Sequence, residues 1–246
     1  MKFLGAVFLL CATSFTGSSA LADQAELVSV GNKLAAVLRA GRAVVSANQP
    51  LINDEDKTDK GLTPDVFMMQ VAETYKSQNA DRQILDNLSN SERVLVEAQL
   101  EAMASVVSEH QSLINTPGLG FKGFIPAVFA RLVNERFDET VGELASVKVT
   151  APVDLVRNRT ARPDAWETVV INEKFLNEDW IKGEVWFEEI ADGGETTFRM
   201  LIPEYYSQSC LSCHGEAKGE VDITGFPKEG GREGQLGGAI SITLRE

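Results

Sequence analysis

Cys210-Leu211-Ser212-Cys213-His214 is the segment of this sequence in which residue type and spacing together specify a chemistry. Two thiols three residues apart can add across the two vinyl groups of a haem, and the following residue then places an imidazole under the iron as proximal ligand. Cys210, Cys213 and His214 are therefore expected to bind one covalent haem c, with His214 on the metal. Three other readings use the same cysteines. A thioredoxin-like redox pair needs a helix directly after it to lower the thiol pKa, but Gly215-Glu216-Ala217-Lys218-Gly219 has no apolar face. A zinc site takes about four ligands, and only His110 or a carboxylate remains to complete it. Chance would not predict the export signal at the other end of the chain, which haem attachment outside the cytoplasm requires.

That signal opens with Met1 and Lys2, continues through a mostly apolar run from Phe3 to Phe15, and ends in Ala20-Leu21-Ala22 ahead of Asp23. It reads as a secretory signal peptide over residues 1–22, its apolar run of about 13 residues being too short to span a bilayer. The expected location is the periplasm, with no membrane anchor after cleavage. Leu10 before Cys11 argues against a lipid anchor, because lipoprotein processing needs a small residue there. Cys11 leaves with the signal, so the two cysteines of the motif have no third to pair with and a disulfide framework is excluded.

The 246 residues carry 23 Lys and Arg against 36 Asp and Glu, and loss of the single Lys in residues 1–22 takes the net charge from −13 to −14. Such a chain is repelled by polyanions, which excludes nucleic acid as a partner and favours a redox or membrane-bound signalling partner with a basic contact patch. A hydrophobic content of 43% is ordinary for a globular chain.

The elements that must position the motif are legible in outline. Leu27, Val30, Leu34, Val37, Leu38, Val44 and Val45 follow helical spacing over Ala25 to Asn48, with Lys33, Arg39 and Arg42 on a basic face. Thr63-Pro64 reads as an N-cap with proline in the first turn of a helix reaching about Ser77. Ser89 and Glu92 make a capping box for a third helix to about Leu113, and Pro126 opens a fourth. After Val147 the texture changes. Val147–Thr150 and Asp154–Arg157 read as strands and Asp164–Leu176 as a helix. Glu184–Ile190 and Thr196–Ile202 read as a hairpin turning at Asp192-Gly193-Gly194, the motif as a loop, and Gly238–Leu244 as a closing strand. Helices first and an antiparallel sheet later indicate an α+β fold. Gly118-Leu119-Gly120-Phe121-Lys122-Gly123 matches a dinucleotide fingerprint in letters only, since a helix precedes it and no βαβ pattern surrounds it.

Several blocks carry a family resemblance: Phe121-Lys122-Gly123-Phe124-Ile125-Pro126-Ala127-Val128-Phe129-Ala130, Val156-Arg157-Asn158, Pro163-Asp164-Ala165-Trp166-Glu167, the haem motif, and Gly238-Ala239-Ile240-Ser241-Ile242. Together they resemble a bacterial domain-of-unknown-function family of single-haem c-type proteins with a PAS-like fold, found alone in exported proteins and as the sensory part of histidine kinases and chemoreceptors. With the signal peptide over 1–22 set aside, the chain is expected to divide into an N-terminal helical segment over 23–116 and a PAS-like haem domain over 117–246. The resemblance implies haem near the sheet face, helices packed across the sheet, and Cys210, Cys213 and His214 as attachment and proximal residues. Members can use a cysteine on an N-terminal helix as second axial ligand, but the corresponding position falls near Val45, which is no ligand.

The distal ligand stays open among His110, a methionine (Met68, Met69 or Met103) and an open or water-bound site. Arg39, Arg42, Arg157 and Arg162 are candidates to pair with haem propionates or are plain surface residues. Trp166 and Trp186 are read as core, and Tyr205 and Tyr206 as walls of the pocket. Redox or small-gas sensing, periplasmic electron transfer and, behind them, a peroxidase-type activity are the function classes in play. The last requires an open iron with acid–base help.

Overall fold

Local signals start most of the elements. Thr63 Oγ1 accepts a hydrogen bond from Val66 N, and Ser89 with Glu92 forms both halves of a capping box. Asp164 and Glu167 form another. In chain order the computed structural model, which describes residues 17–192 and 195–245, has helices α1 (Gly17–Ala47), α2 (Gln49–Ile52), α3 (Pro64–Gln78), α4 (Asn90–Glu109), α5 (Gln111–Ile114) and α6 (Pro126–Val141). Strand β1 (Ala145–Thr150), helix α7 (Ala165–Val170), strands β2 (Trp186–Asp192) and β3 (Glu195–Tyr205), helix α8 (Leu211–His214) and strand β4 (Leu236–Arg245) follow. Residues 1–16 of the expected signal and the hairpin tip at Gly193 and Gly194 lie outside the described residues. None of the described helices is long and apolar enough to cross a membrane.

The fold is α+β, as expected. The four strands form an antiparallel sheet in the order β1-β4-β3-β2. Alternation along β3 and β4 divides their side chains between two cores. Phe198, Met200, Ile202, Ile240, Ile242 and Leu244 join the larger core with α1, α3, α4 and α6. Leu201 and Ala239 face the other way, into a smaller core with Val170, Ile171 and Phe175. The larger core draws on residues from Val30 to Leu244, so the N-terminal helices and the sheet are packed through one interior rather than two. Each fully buried Phe or Leu there contributes about 1.5–3 kcal/mol by leaving water.

Two expectations are corrected. Asp154–Arg157 is not a strand: Pro152 diverts the chain into a 3-10 turn over Val153–Leu155, and Leu155 N bonds back to Pro152 O at 2.8 Å. The third helix also stops early. Its backbone breaks at His110, and α5 restarts from Gln111. The Gly118–Gly123 segment connects α5 to α6 with positive φ at both Gly118 and Gly123, and among the described residues no strand precedes it, as the sequence indicates.

Candidate functional site

Strand β3 leads directly into the motif. The sequence suggests a loop here, whereas a 3-10 turn over Gln208–Cys210 runs straight into α8. Local hydrogen bonds explain this: Cys210 N donates to Ser207 O at 2.9 Å, Ser212 Oγ to Ser209 O at 3.2 Å, and Gly215 N to Leu211 O at 2.9 Å. Residues spaced i, i+3 and i+4 share one side of a helical turn, so Cys210, Cys213 and His214 project together. The turn must end in glycine, because a Cβ on Gly215 would lie 2.5 Å from Leu211 O. Both cysteines are partly buried free thiols, not joined to each other.

His214 is held from two sides. Its Nδ1 lies 2.9 Å from Glu229 Oε2, and its ring stacks on Tyr206 with 5.2 Å between centroids and 22° between planes. Glu229 is fixed in turn by Arg157, whose Nε donates to Oε1 at 2.6 Å and Nη2 to Oε2 at 3.0 Å. Arg157 Nη1 reaches Asp222 Oδ2 at 2.6 Å, and Nη2 also donates to the Cys213 carbonyl at 2.8 Å. One guanidinium thus ties the loop after β1 to the motif and to both ends of the segment that follows it.

The electrostatics follow from these contacts. Burial alone would raise the carboxyl of Glu229, but bonds from Arg157 and His214 outweigh it and hold the group below its ordinary range. Burial likewise opposes ionisation of Asp222, yet hydrogen bonds from Thr224 and Arg157 hold its carboxyl well below the usual carboxylate range. Burial, reinforced by the charge of Glu229, pushes the Tyr206 phenol up to about 12, so it is a neutral hydroxyl at ordinary pH.

Tyr206 reaches its place through an irregularity of the sheet. Glu204 pairs with Gly238 and Tyr205 with Leu236, which leaves Gly237 as the extra residue of a bulge. A Cβ on Gly237 would come within 2.4 Å of the Tyr206 ring, and one on Gly231 within 2.6 Å. The two glycines crowd the two edges of the ring. Upstream of the bulge, Glu204 joins α1, accepting from Arg39 Nε and Arg42 Nη1 at 2.6 Å each.

Beside Tyr206 and Glu229 an open cleft of about 590 Å³ is walled by Phe175, Leu176, Trp180, Tyr205, Leu236 and the Gly230-Gly231 backbone. Lys182 stands at the cleft, its Nζ on Gly234 O at 2.7 Å and over the Tyr205 ring. The Trp180 indole Nε1 is buried and finds no hydrogen-bond partner among the described residues.

The other expected residues divide. Tyr205 and Tyr206 both line the cleft. Arg157 serves the motif backbone and Glu229, while Arg39 and Arg42 serve Glu204, so three arginines considered for propionates already have carboxylate partners. Trp166 and Trp186 pack against the smaller core and both donate to Glu188, at 2.9 and 2.7 Å. His110 caps α4 with Nδ1 against Val106 O at 2.7 Å and its ring 5.0 Å from Phe124. The contacts of His110 do not involve the motif; His110, Met68, Met69 and Met103 are absent from the cleft wall, as are Cys210, Cys213 and His214 themselves, which adjoin it through Tyr206 and Glu229. Glu229, Asp222 and Trp180 were not singled out by sequence reasoning. The available signal was Asp222-Ile223-Thr224, an Asx turn in which Asp222 Oδ1 accepts from Thr224 N at 2.7 Å.

Among known proteins, a family model, Tll0287-like, matches residues 81–245, from before α4 to the end of β4. No curated protein and no solved structure matches the chain.

Proposed function

The chain belongs to the Tll0287-like family, and from that premise we propose that it is an exported mono-haem c-type protein acting in redox or small-gas sensing. The observation that carries this reading is the motif itself: two free thiols and an imidazole on one side of a helical turn, with Nδ1 of His214 engaged by Glu229. Nε2 is left as the nitrogen for a metal. The neighbouring residues fit the cofactor. The cleft of about 590 Å³ is walled by Tyr206 and Glu229, which hold His214, and not by the motif residues themselves; its volume lies within the range that holds a bound cofactor, and the unpartnered Trp180 Nε1 with Lys182 supplies donors suited to propionate carboxylates.

Cys210 and Cys213 would form the two thioether bonds, and His214 would be the proximal ligand. Bound there, haem supplies a one-electron ferric–ferrous couple and a metal site for small gases. The chain's own contribution is to hold the imidazole by Glu229 and Tyr206, and to wall the cleft with Phe175, Leu176, Trp180 and Leu236. The acidic balance, −13 over the whole sequence, suits a partner with a basic contact surface, either a redox protein or a membrane-bound signalling protein.

Periplasmic electron transfer is the second reading, favoured by the partial exposure of both cysteines, which places the attachment edge near solvent. Expression with haem-maturation machinery tests the shared premise: a pyridine haemochrome spectrum and one added haem mass on the chain are expected, and a haem-free chain refutes both readings. Carbon monoxide binding to the reduced protein then separates them. Rapid binding without turnover supports gas sensing, whereas a protein that exchanges electrons but binds no carbon monoxide supports transfer or redox sensing.

A further inference from the structure

We infer that Glu229 is a positioning residue that fixes the tautomer of His214 and lowers the reduction potential of the site. The inference rests on the haem reading above and concerns how the chain regulates that site. A neutral imidazole has one protonated nitrogen, and the partner of that nitrogen decides which one remains free. Arg157 donates to both oxygens of Glu229, Nε to Oε1 at 2.6 Å and Nη2 to Oε2 at 3.0 Å, so the carboxyl faces His214 as an acceptor. At 2.9 Å it accepts the hydrogen bond of His214 Nδ1–H, so the lone pair belongs to Nε2, on the far side of the ring.

The carboxylate is itself immobilised. Arg157 grips both of its oxygens, and Asp222, whose side chain is fully buried, grips Arg157. Asp222 is locked by Thr224 Oγ1 at 2.6 Å, Thr224 N at 2.7 Å and Phe226 N at 3.2 Å. The imidazole is thus aimed by a chain of charge-assisted bonds that ends in backbone, and Arg157 secures the same backbone at Cys213 O. Tyr206, stacked flat on the ring, blocks rotation out of the plane these bonds define.

An anionic acceptor on the outer nitrogen makes a ligating imidazole more electron-rich, which stabilises ferric over ferrous iron. Arg157 neutralises part of that charge, so the effect is smaller than a free carboxylate would give.

The test uses holoprotein carrying Glu229→Gln, which keeps shape and loses charge, and Glu229→Asp, which keeps charge but draws it away from Nδ1. Spectroelectrochemical titration should show the ferric–ferrous equilibrium of Glu229→Gln shifted about tenfold towards ferrous, a rise of about 59 mV for one electron. Glu229→Asp should rise less. A potential equal to wild type in either variant, with haem attached, overturns the inference. Failure of both variants to retain haem overturns it as well, by making Glu229 a folding residue. Absence of covalent haem in the wild-type chain refutes instead the reading on which the inference rests.

Discussion

The imidazole of His214 lies nearly parallel to the phenol of Tyr206, 5.2 Å between centroids and 22° from coplanar, and Gly231 and Gly237 crowd the two edges of that phenol. The ring has no room to spare. Any side chain at Gly237 must displace the tyrosine, since its Cβ would fall 2.4 Å from the ring.

Gly237→Ala is therefore expected to lower unfolding stability by about 1–3 kcal/mol through overpacking. It should also shift the Soret band of the holoprotein. Urea titration at constant m-value reads the first effect. A midpoint equal to wild type would show that the ring is not confined as described.

Asp222 gives a pH prediction with a defined sign. Its folded pKa lies below the unfolded value of about 3.9, so the stability it contributes is fully present above that value and is lost as pH falls towards the folded pKa. Asp222→Asn, which leaves Arg157 with Glu229 as its remaining carboxylate, is expected to cost about 3 kcal/mol at neutral pH. The deficit should shrink between about pH 4 and pH 2, as wild type loses the same interaction. Denaturation curves of both proteins across that range check it, and a pH-independent difference would contradict the sign.

Glu204 is the tie between α1 and the end of β3. Glu204→Gln weakens two ion pairs of which the carboxylate is 17% exposed and the arginines 39% and 26%. With that exposure the expected loss is about 1–2 kcal/mol, less than for a fully buried pair. Because the groups are partly shielded, most of the loss should persist in 0.5 M salt. A loss that vanishes in salt would identify a purely surface interaction.

His110 tests the separation between the helical layer and the motif. His110→Ala should remove its packing on Phe124, worth about 0.5–1.5 kcal/mol, and leave the haem absorption spectrum of both redox states as in wild type. A spectral change from low to high spin on this substitution would place His110 on the iron and overturn the reading of its contacts.

How much of this was legible in the sequence depended on whether the signal was local. Caps at Thr63 and Ser89 are read within four residues and appear as expected, whereas the equally local capping box of Asp164 and Glu167 went unread. The motif is equally local, although it lies in a helical turn and not in the expected loop. The supporting residues come from far away in sequence: Arg157 reaches Asp222 and Glu229 across 65 and 72 positions. The segment 215–235 that carries two of them is polar, irregular and without periodicity, so no pattern rule selects Glu229 from the other acids there. Arg157 was noticed, but for a propionate rather than for the carboxylates it grips. Trp180 escaped because a buried indole without a partner is a property of packing, not of composition. The bulge at Gly237 was equally hidden, since Gly237-Gly238 reads simply as the soft start of a strand.

That bulge sets the phase of the chain on either side of it. Up to Glu204, β3 keeps step with the helices; from Tyr205 onward it keeps step with the cleft, and the change of step is made by one unpaired residue on the neighbouring strand. Strand and motif are consequently intolerant of insertions or deletions as a unit. Removing one residue between Ile202 and Cys210 would turn either the carboxylate away from α1 or the phenol away from the imidazole, whatever residue was lost. The spacing between these two contacts is therefore as much a part of the site as the side chains that make them.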